Sequence, residues 1–362
     1  MTPLLALLKR RIAAEGPITV ATYMAEVLGH PKHGYYMTRD PLGQAGDFTT
    51  APEISQVFGE LLGLWCADVW LRLGRPDPVL WLELGPGRGT LMQDAWRATK
   101  AVPGFHQAVR LYLLETSPVL RQRQAALLQD AGPSWIERLA DLPDGPLLAI
   151  ANEFFDALPI RQFQMTETGW RERLIAWDEI NDALSFALAP HEDPAMHLIP
   201  SSVRQAPPGA IAEICPTGIS IASELGRRIG SAGGSAAIID YGPLASAAGD
   251  SFQAVRGHEF ADPLDRPGES DLTAHVDFRT LAKAATEAGT AVDRLETQRA
   301  FLTDLGIAQR AAALRANASR EQREAIDAAL HRLTGTTSDA MGELFKVLTL
   351  VSPGLATDTA AP

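Results

Sequence analysis

Apolar positions along this chain change period twice. From Leu4 to Ala14 they return every three to four residues, the signature of an amphipathic helix, which Gly16-Pro17 stops. Thr19 is placed to cap a second helix running through Met24 and Leu28. A turn cluster at 30–36 and a polar loop at 46–53 follow, and then Ile54 to Leu73 reads as one long apolar helix. Beyond Val79 short apolar runs alternate with helical stretches, which predicts a parallel sheet. The predicted strands are Leu80–Leu84, Arg110–Leu114, Trp135–Arg138, Leu147–Ala151, Ala236–Asp240, Val292–Gln298 and Phe345–Val351. Between Ala151 and Ala236 the rhythm breaks. Arg161 to Leu188 alternates with period two, with turns at Gly169 and Asn181-Asp182, and reads as a β-meander. Residues 302 to about 340 read as Ala- and Arg-rich helix.

The expected organisation is a helical extension over 1–75, an α/β core over 76–160 and 210–355, a β-rich insertion over 161–209, and a frayed tail at 356–362. With 362 residues, 46% of them hydrophobic, the chain can bury a sizeable core. A net charge of −12 and the lack of Lys/Arg runs argue against broad nucleic-acid binding. Two cysteines, Cys66 and Cys215, make no disulfide framework and suit a reducing compartment. No apolar stretch reaches membrane-spanning length, and Leu4–Leu8 followed by Lys9-Arg10-Arg11 has the wrong order for a secretory signal. A cytoplasmic protein is expected.

Val79–Leu84 ends in Gly85-Pro86-Gly87-Arg88-Gly89, and a helix is predicted to open near Thr90. Glycines permit a tight turn and close approach of backbone to ligand, so strand, glycine loop and helix together form a nucleotide cradle. A dinucleotide fingerprint wants Gly or Ala where Thr90 stands, and no P-loop pattern is present. The order Glu83-x-Gly85-x-Gly87-x-Gly89 instead resembles the loop of S-adenosylmethionine (SAM) methyltransferases. A tight turn without ligand is the plain alternative.

Glu115 ends the second strand, where a carboxylate can accept both ribose hydroxyls; the alternative is a surface acid beside the Ser117-Pro118 helix start. Asn152, Glu153 and Asp156 follow the fourth strand, where open α/β sheets bind ligands. An amide and two carboxylates there can hold a cationic or amide nitrogen and take up a proton, or simply cap backbone groups. Asp47 and Thr49 lie in the polar loop, and Asp240-Tyr241-Gly242 is a further pocket edge. His258, His275, Asp271 and Asp277 match no metal-ligand spacing, so no metal is expected.

Seven segments together resemble one family: Gly16-Pro17-Ile18, His33–Tyr36, Gly46–Glu53, Gly85–Leu91, Asn152–Pro159, Asp240–Gly242 and Asp271–Asp277. It is the MidA-like group of SAM-dependent methyltransferases, which includes a mitochondrial assembly factor of respiratory complex I. The resemblance spans nearly the whole chain. It implies a Rossmann-like, seven-stranded class I core with an N-terminal helical extension and an insertion after the fourth strand. SAM is the implied cofactor, with Glu83, Gly85, Gly87, Gly89, Glu115, Asp47 and Thr49 about it and Asn152, Glu153 and Asp156 at the acceptor nitrogen. The mitochondrial relatives imply arginine of a core subunit of NADH:ubiquinone oxidoreductase as acceptor. The chain starts at the family's own first helix, so a bacterial protein is expected. A SAM-binding assembly chaperone and a small-molecule methyltransferase are the other readings, and a homodimer is left open.

Overall fold

The computed structural model describes residues 2–38 and 50–356. They form two compact units, one from residues 50–155, 221–244 and 281–356, the other from 2–38, 156–220 and 245–280.

The first of these units is built on a seven-stranded sheet: β1 Val79–Leu84, β2 Val109–Leu114, β3 Ser134–Ile136, β4 Leu147–Asn152, β5 Gly234–Tyr241, β6 Ala291–Thr297 and β7 Phe345–Val351. Their spatial order is β6-β7-β5-β4-β1-β2-β3. Strands β1 to β5 run parallel, and β7 lies antiparallel to both β5 and β6. All seven predicted strands are present, with no end shifted by more than two residues. β6 carries a bulge between Val292 and Arg294. Every residue of β1, β4 and β7 is buried, as expected for strands covered on both faces. Trp81, Leu113, Leu148, Ile150, Ile239 and Val347 share one core.

The predicted helix over 54–73 is divided. A short turn Ala51–Ile54 stops at Ser55, whose extended backbone and hydroxyl cap a new helix, Gln56–Arg72. This helix packs on Thr90–Thr99, which opens behind the glycine loop. Two glycines make the approach close. A Cβ on Gly59 would lie 2.7 Å from the Leu91 carbonyl oxygen, and one on Gly63 2.6 Å from Ala95 Cα. On another flank the buried Arg228 donates to the carbonyls of Pro143, Leu139 and Leu142 at 2.9, 3.2 and 3.0 Å, and to Glu224 at 2.7 Å. It thereby satisfies a loop that has no ladder partners.

In the second unit, strands Arg161–Thr166, Gly169–Asp178 and Ala183–Leu188 form the meander. Ile18–Thr19 and Ile211–Ile214 add strands to it that periodicity did not reveal. They are too short to show a pattern. Helices Pro3–Glu15 and Val20–Gly29 supply Leu4, Leu8, Ile12, Tyr23 and Met24 to a core with Ile175 and Phe252. Thr2 and Thr19 cap them, accepting from Leu5 N and Thr22 N. Around His258 the chain forms a hairpin, Gln253–Arg256 with Glu259–Ala261, and His258 (φ 66°) sits in its turn.

Candidate active site

Parallel strands end on the same side, so β1, β2, β4 and β5 deliver their following residues to one edge of the sheet. The glycine loop leaves β1 there. Gly85, Gly87 and Gly89 have φ of 64°, 53° and 89°, values that carry a steric penalty for any residue with a Cβ. At Gly85 a Cβ would also lie 2.7 Å from the Phe154 ring. Behind the loop, the Thr90 hydroxyl donates to Glu53 Oε1 at 2.6 Å, and Arg88 lies 3.6 Å from Glu53 Oε2.

Glu83 is 3% exposed, and its Oε2 has no hydrogen-bond partner. Burial, then the charge of Glu115, pushes its pKa up to about 8. Glu115 ends β2 and is itself buried. Its Oε1 accepts from the Thr116 and Ser117 N–H groups at 2.8 Å each, and its Oε2 from the Gln124 amide at 3.2 Å. Burial raises its pKa, against the lowering effect of the Ser117 N–H and the Gln124 amide.

At the end of β4, Asn152 Oδ1 is buried without a partner. Glu153 has φ 50°, a left-handed backbone uncommon for a non-glycine residue and frequent at functional sites. Its Oε1 accepts from Ala51 N at 3.1 Å and from the Asn152 amide at 3.0 Å. The segment after residue 49 is thus tied both to the β4 end through Ala51 and to the glycine loop through Glu53. Asp240, wholly buried at the end of β5, accepts from Phe155 N and Tyr241 N at 3.0 Å each.

Asp156 belongs to the other unit, where its carbonyl accepts from Ala274 N at 3.0 Å. There the Tyr36 hydroxyl donates to both carboxylate oxygens of Asp271, at 2.8 and 2.9 Å. Burial, then the charges of Asp271 and Asp156, holds this phenol well above its ordinary pKa. Three of the sequence segments, around 36, 156 and 271, therefore meet in one unit. Asp47 and Thr49 lie outside the described residues. Sequence reasoning missed Gln124 and Glu53. Gln124 had one usable signal, an amide between Leu120 and Leu128 on the inner stripe of its helix.

This strand order, with a lone antiparallel strand β7 and a positive-φ glycine loop after β1, is that of a class I methyltransferase. The model of a family of S-adenosyl-L-methionine-dependent methyltransferases matches residues 61–295. The mouse mitochondrial protein arginine methyltransferase NDUFAF7 is 40% identical over 332 residues, covering 85% of this chain and 75% of its own length. The Drosophila melanogaster homolog is 36% identical over 381 residues, covering 96% and 84%. A crystal structure from Burkholderia thailandensis, bound to S-adenosyl-homocysteine, superposes with TM-score 0.81 at 26% identity, covering 96% of this chain and 91% of that one. The chain belongs to this family of SAM-dependent methyltransferases.

Proposed function

We propose that this chain methylates a guanidinium nitrogen of arginine in a protein, and that a core subunit of the NADH:ubiquinone oxidoreductase of a bacterial cell is the first acceptor to test. The acceptor class follows the relatives named protein arginine methyltransferase. The observation that carries the cofactor site is the pair of buried oxygens without partners, Glu83 Oε2 and Asn152 Oδ1, at the ends of neighbouring strands. Buried acceptors of this kind are costly unless a ligand supplies donors. SAM fits them: it brings an ammonium and two ribose hydroxyls as donors. Glu83 with the Gly85–Gly89 loop would hold its amino-acid part and Glu115 its ribose, and Asp47 and Thr49 are further proposed cofactor contacts.

When bound, SAM supplies an electrophilic methyl group that leaves with its carbon–sulfur bond electrons remaining on sulfur. The chain's own residues then have two tasks. Asn152 and Glu153 orient the acceptor nitrogen, and the left-handed backbone at Glu153 restricts where its carboxylate can point. A carboxylate of Glu153 or Asp156 accepts the proton that the nitrogen loses. Such alignment can contribute several kcal/mol to the rate.

The test is transfer of a labelled methyl group to lysate proteins and to purified subunits, followed by hydrolysis. Labelled methylarginine is expected, with Glu153→Ala and Asp156→Ala each reducing it at least tenfold. Undiminished labelling would remove that residue from the mechanism. Label confined to the low-mass fraction would replace the protein acceptor by a small molecule. Cofactor binding without any label would make the protein a SAM-binding assembly chaperone.

A further inference from the structure

One side chain that no motif contains touches both halves of the proposed cofactor site. Gln124 lies on the helix Pro118–Leu127 and is fully buried. Its Nε2 donates to the Gly87 carbonyl at 2.7 Å and to Glu115 Oε2 at 3.2 Å. Its Oε1 accepts from Trp135 Nε1, on β3, at 2.8 Å. The amide cannot be turned over. Indole N–H is a donor only, while a carbonyl and a carboxylate are acceptors here, so a flipped amide would lose all three bonds. The three partners come from the loop after β1, the end of β2, and β3. Gly89 closes against the same side chain, where a Cβ would lie 3.5 Å from Gln124 Cγ.

We infer that Gln124 is a positioning residue for the cofactor: its amide sets the distance between the glycine loop and the carboxylate that receives the ribose. The inference rests on the reading of Glu115 as ribose acceptor. Two N–H groups of Thr116 and Ser117 already hold Oε1. Gln124 holds Oε2, and with it the rotation of the carboxylate about its last bond. Without that donor only Oε1 is held, Oε2 is no longer fixed, and the hydroxyl pair loses a preformed acceptor.

The experiment measures calorimetric binding of S-adenosyl-homocysteine and of its 3′-deoxyribose analogue to wild type, Gln124→Met and Glu115→Ala. Methionine keeps the length and volume and removes both donors. Wild type is expected to prefer the full ribose by about tenfold or more, one charge-assisted hydrogen bond. Gln124→Met should weaken binding of the full ribose by about tenfold and cut the preference to under threefold. A residue that only fills space would weaken both ligands alike. Preference kept by Gln124→Met but lost by Glu115→Ala overturns the role of Gln124 alone. Preference kept by Glu115→Ala overturns the ribose reading and this inference with it. If Gln124→Met gives no folded protein by circular dichroism, Trp135→Phe decides. It removes one of the three bonds that fix the amide and should cut the preference about threefold; an unchanged preference overturns the inference.

Discussion

Gly63→Ala turns an ordinarily stabilising substitution into a damaging one. In an exposed helix, glycine to alanine gains about 1 kcal/mol through backbone entropy. At Gly63 the new Cβ would stand 2.6 Å from Ala95 Cα, 2.7 Å from its carbonyl oxygen and 2.8 Å from its Cβ. Carbon atoms pack at about 3.5–4.0 Å, so the helices Gln56–Arg72 and Thr90–Thr99 must part by roughly 1 Å. The opposing atoms are mostly main chain, which cannot swing aside as a side chain would. Overpacking costs about 1–3 kcal/mol, and the rigid partner places this case at or above the upper end. After the propensity gain, the net loss is about 2 kcal/mol. The melting temperature should fall by roughly 4–8 °C, and the urea midpoint should fall with it. Gly29→Ala is the control, because no heavy atom lies within 4 Å of the added Cβ; it should gain a few tenths to about 1 kcal/mol. A Gly63→Ala protein as stable as wild type would refute the reasoning, since it would mean this helix pair accommodates a methyl group freely.

Three further outcomes are expected. Burial and then Glu115 raise the Glu83 pKa from 4.5 to about 8 in the folded protein, so its stabilising contribution is full below about pH 4.5 and is lost as pH rises through 8. Ligand-free Glu83→Gln, neutral throughout, should therefore match wild type near pH 5 and exceed it at pH 9 in urea unfolding; a pH-independent difference would contradict this. Arg228→Lys replaces a fork that reaches three carbonyls with a point charge; it should cost about 2–3 kcal/mol in the same assay, and a loss under about 0.5 kcal/mol would show that the carbonyls find other donors. Thr90→Val removes the 2.6 Å bond to Glu53 and should weaken S-adenosyl-homocysteine binding by about three- to tenfold, with calorimetry as the check and unchanged affinity as the refutation.

Strand identity was legible because the buried strands are mostly apolar runs followed by glycine or an acid, as at Val79–Leu84 before Gly85. The placement of Glu115 and Asn152 at strand ends followed from the same runs. Ser55 was not legible as a break, because apolar periodicity continues across it while its hydroxyl caps from a different backbone state. Glu53, Gln124 and Arg228 were hidden for a shared reason. Each has at least one partner 37 or more residues away in sequence, and local pattern holds no information about such contacts. The left-handed Glu153 also left no trace, since nothing in its residue type asks for that backbone.

Strand β7 is the last strand among the described residues, yet it sits between β5 and β6. All seven of its residues are buried, and it pairs with β5 from Ser235 to Tyr241. During synthesis, residues up to about 340 can emerge with two facing strand edges still open. Open, apolar edges recruit other chains. The nascent protein is therefore most exposed to aggregation in the interval before residue 351 leaves the ribosome. A stop codon placed before residue 345 would remove an interior strand, so such a truncation should behave as a core mutation.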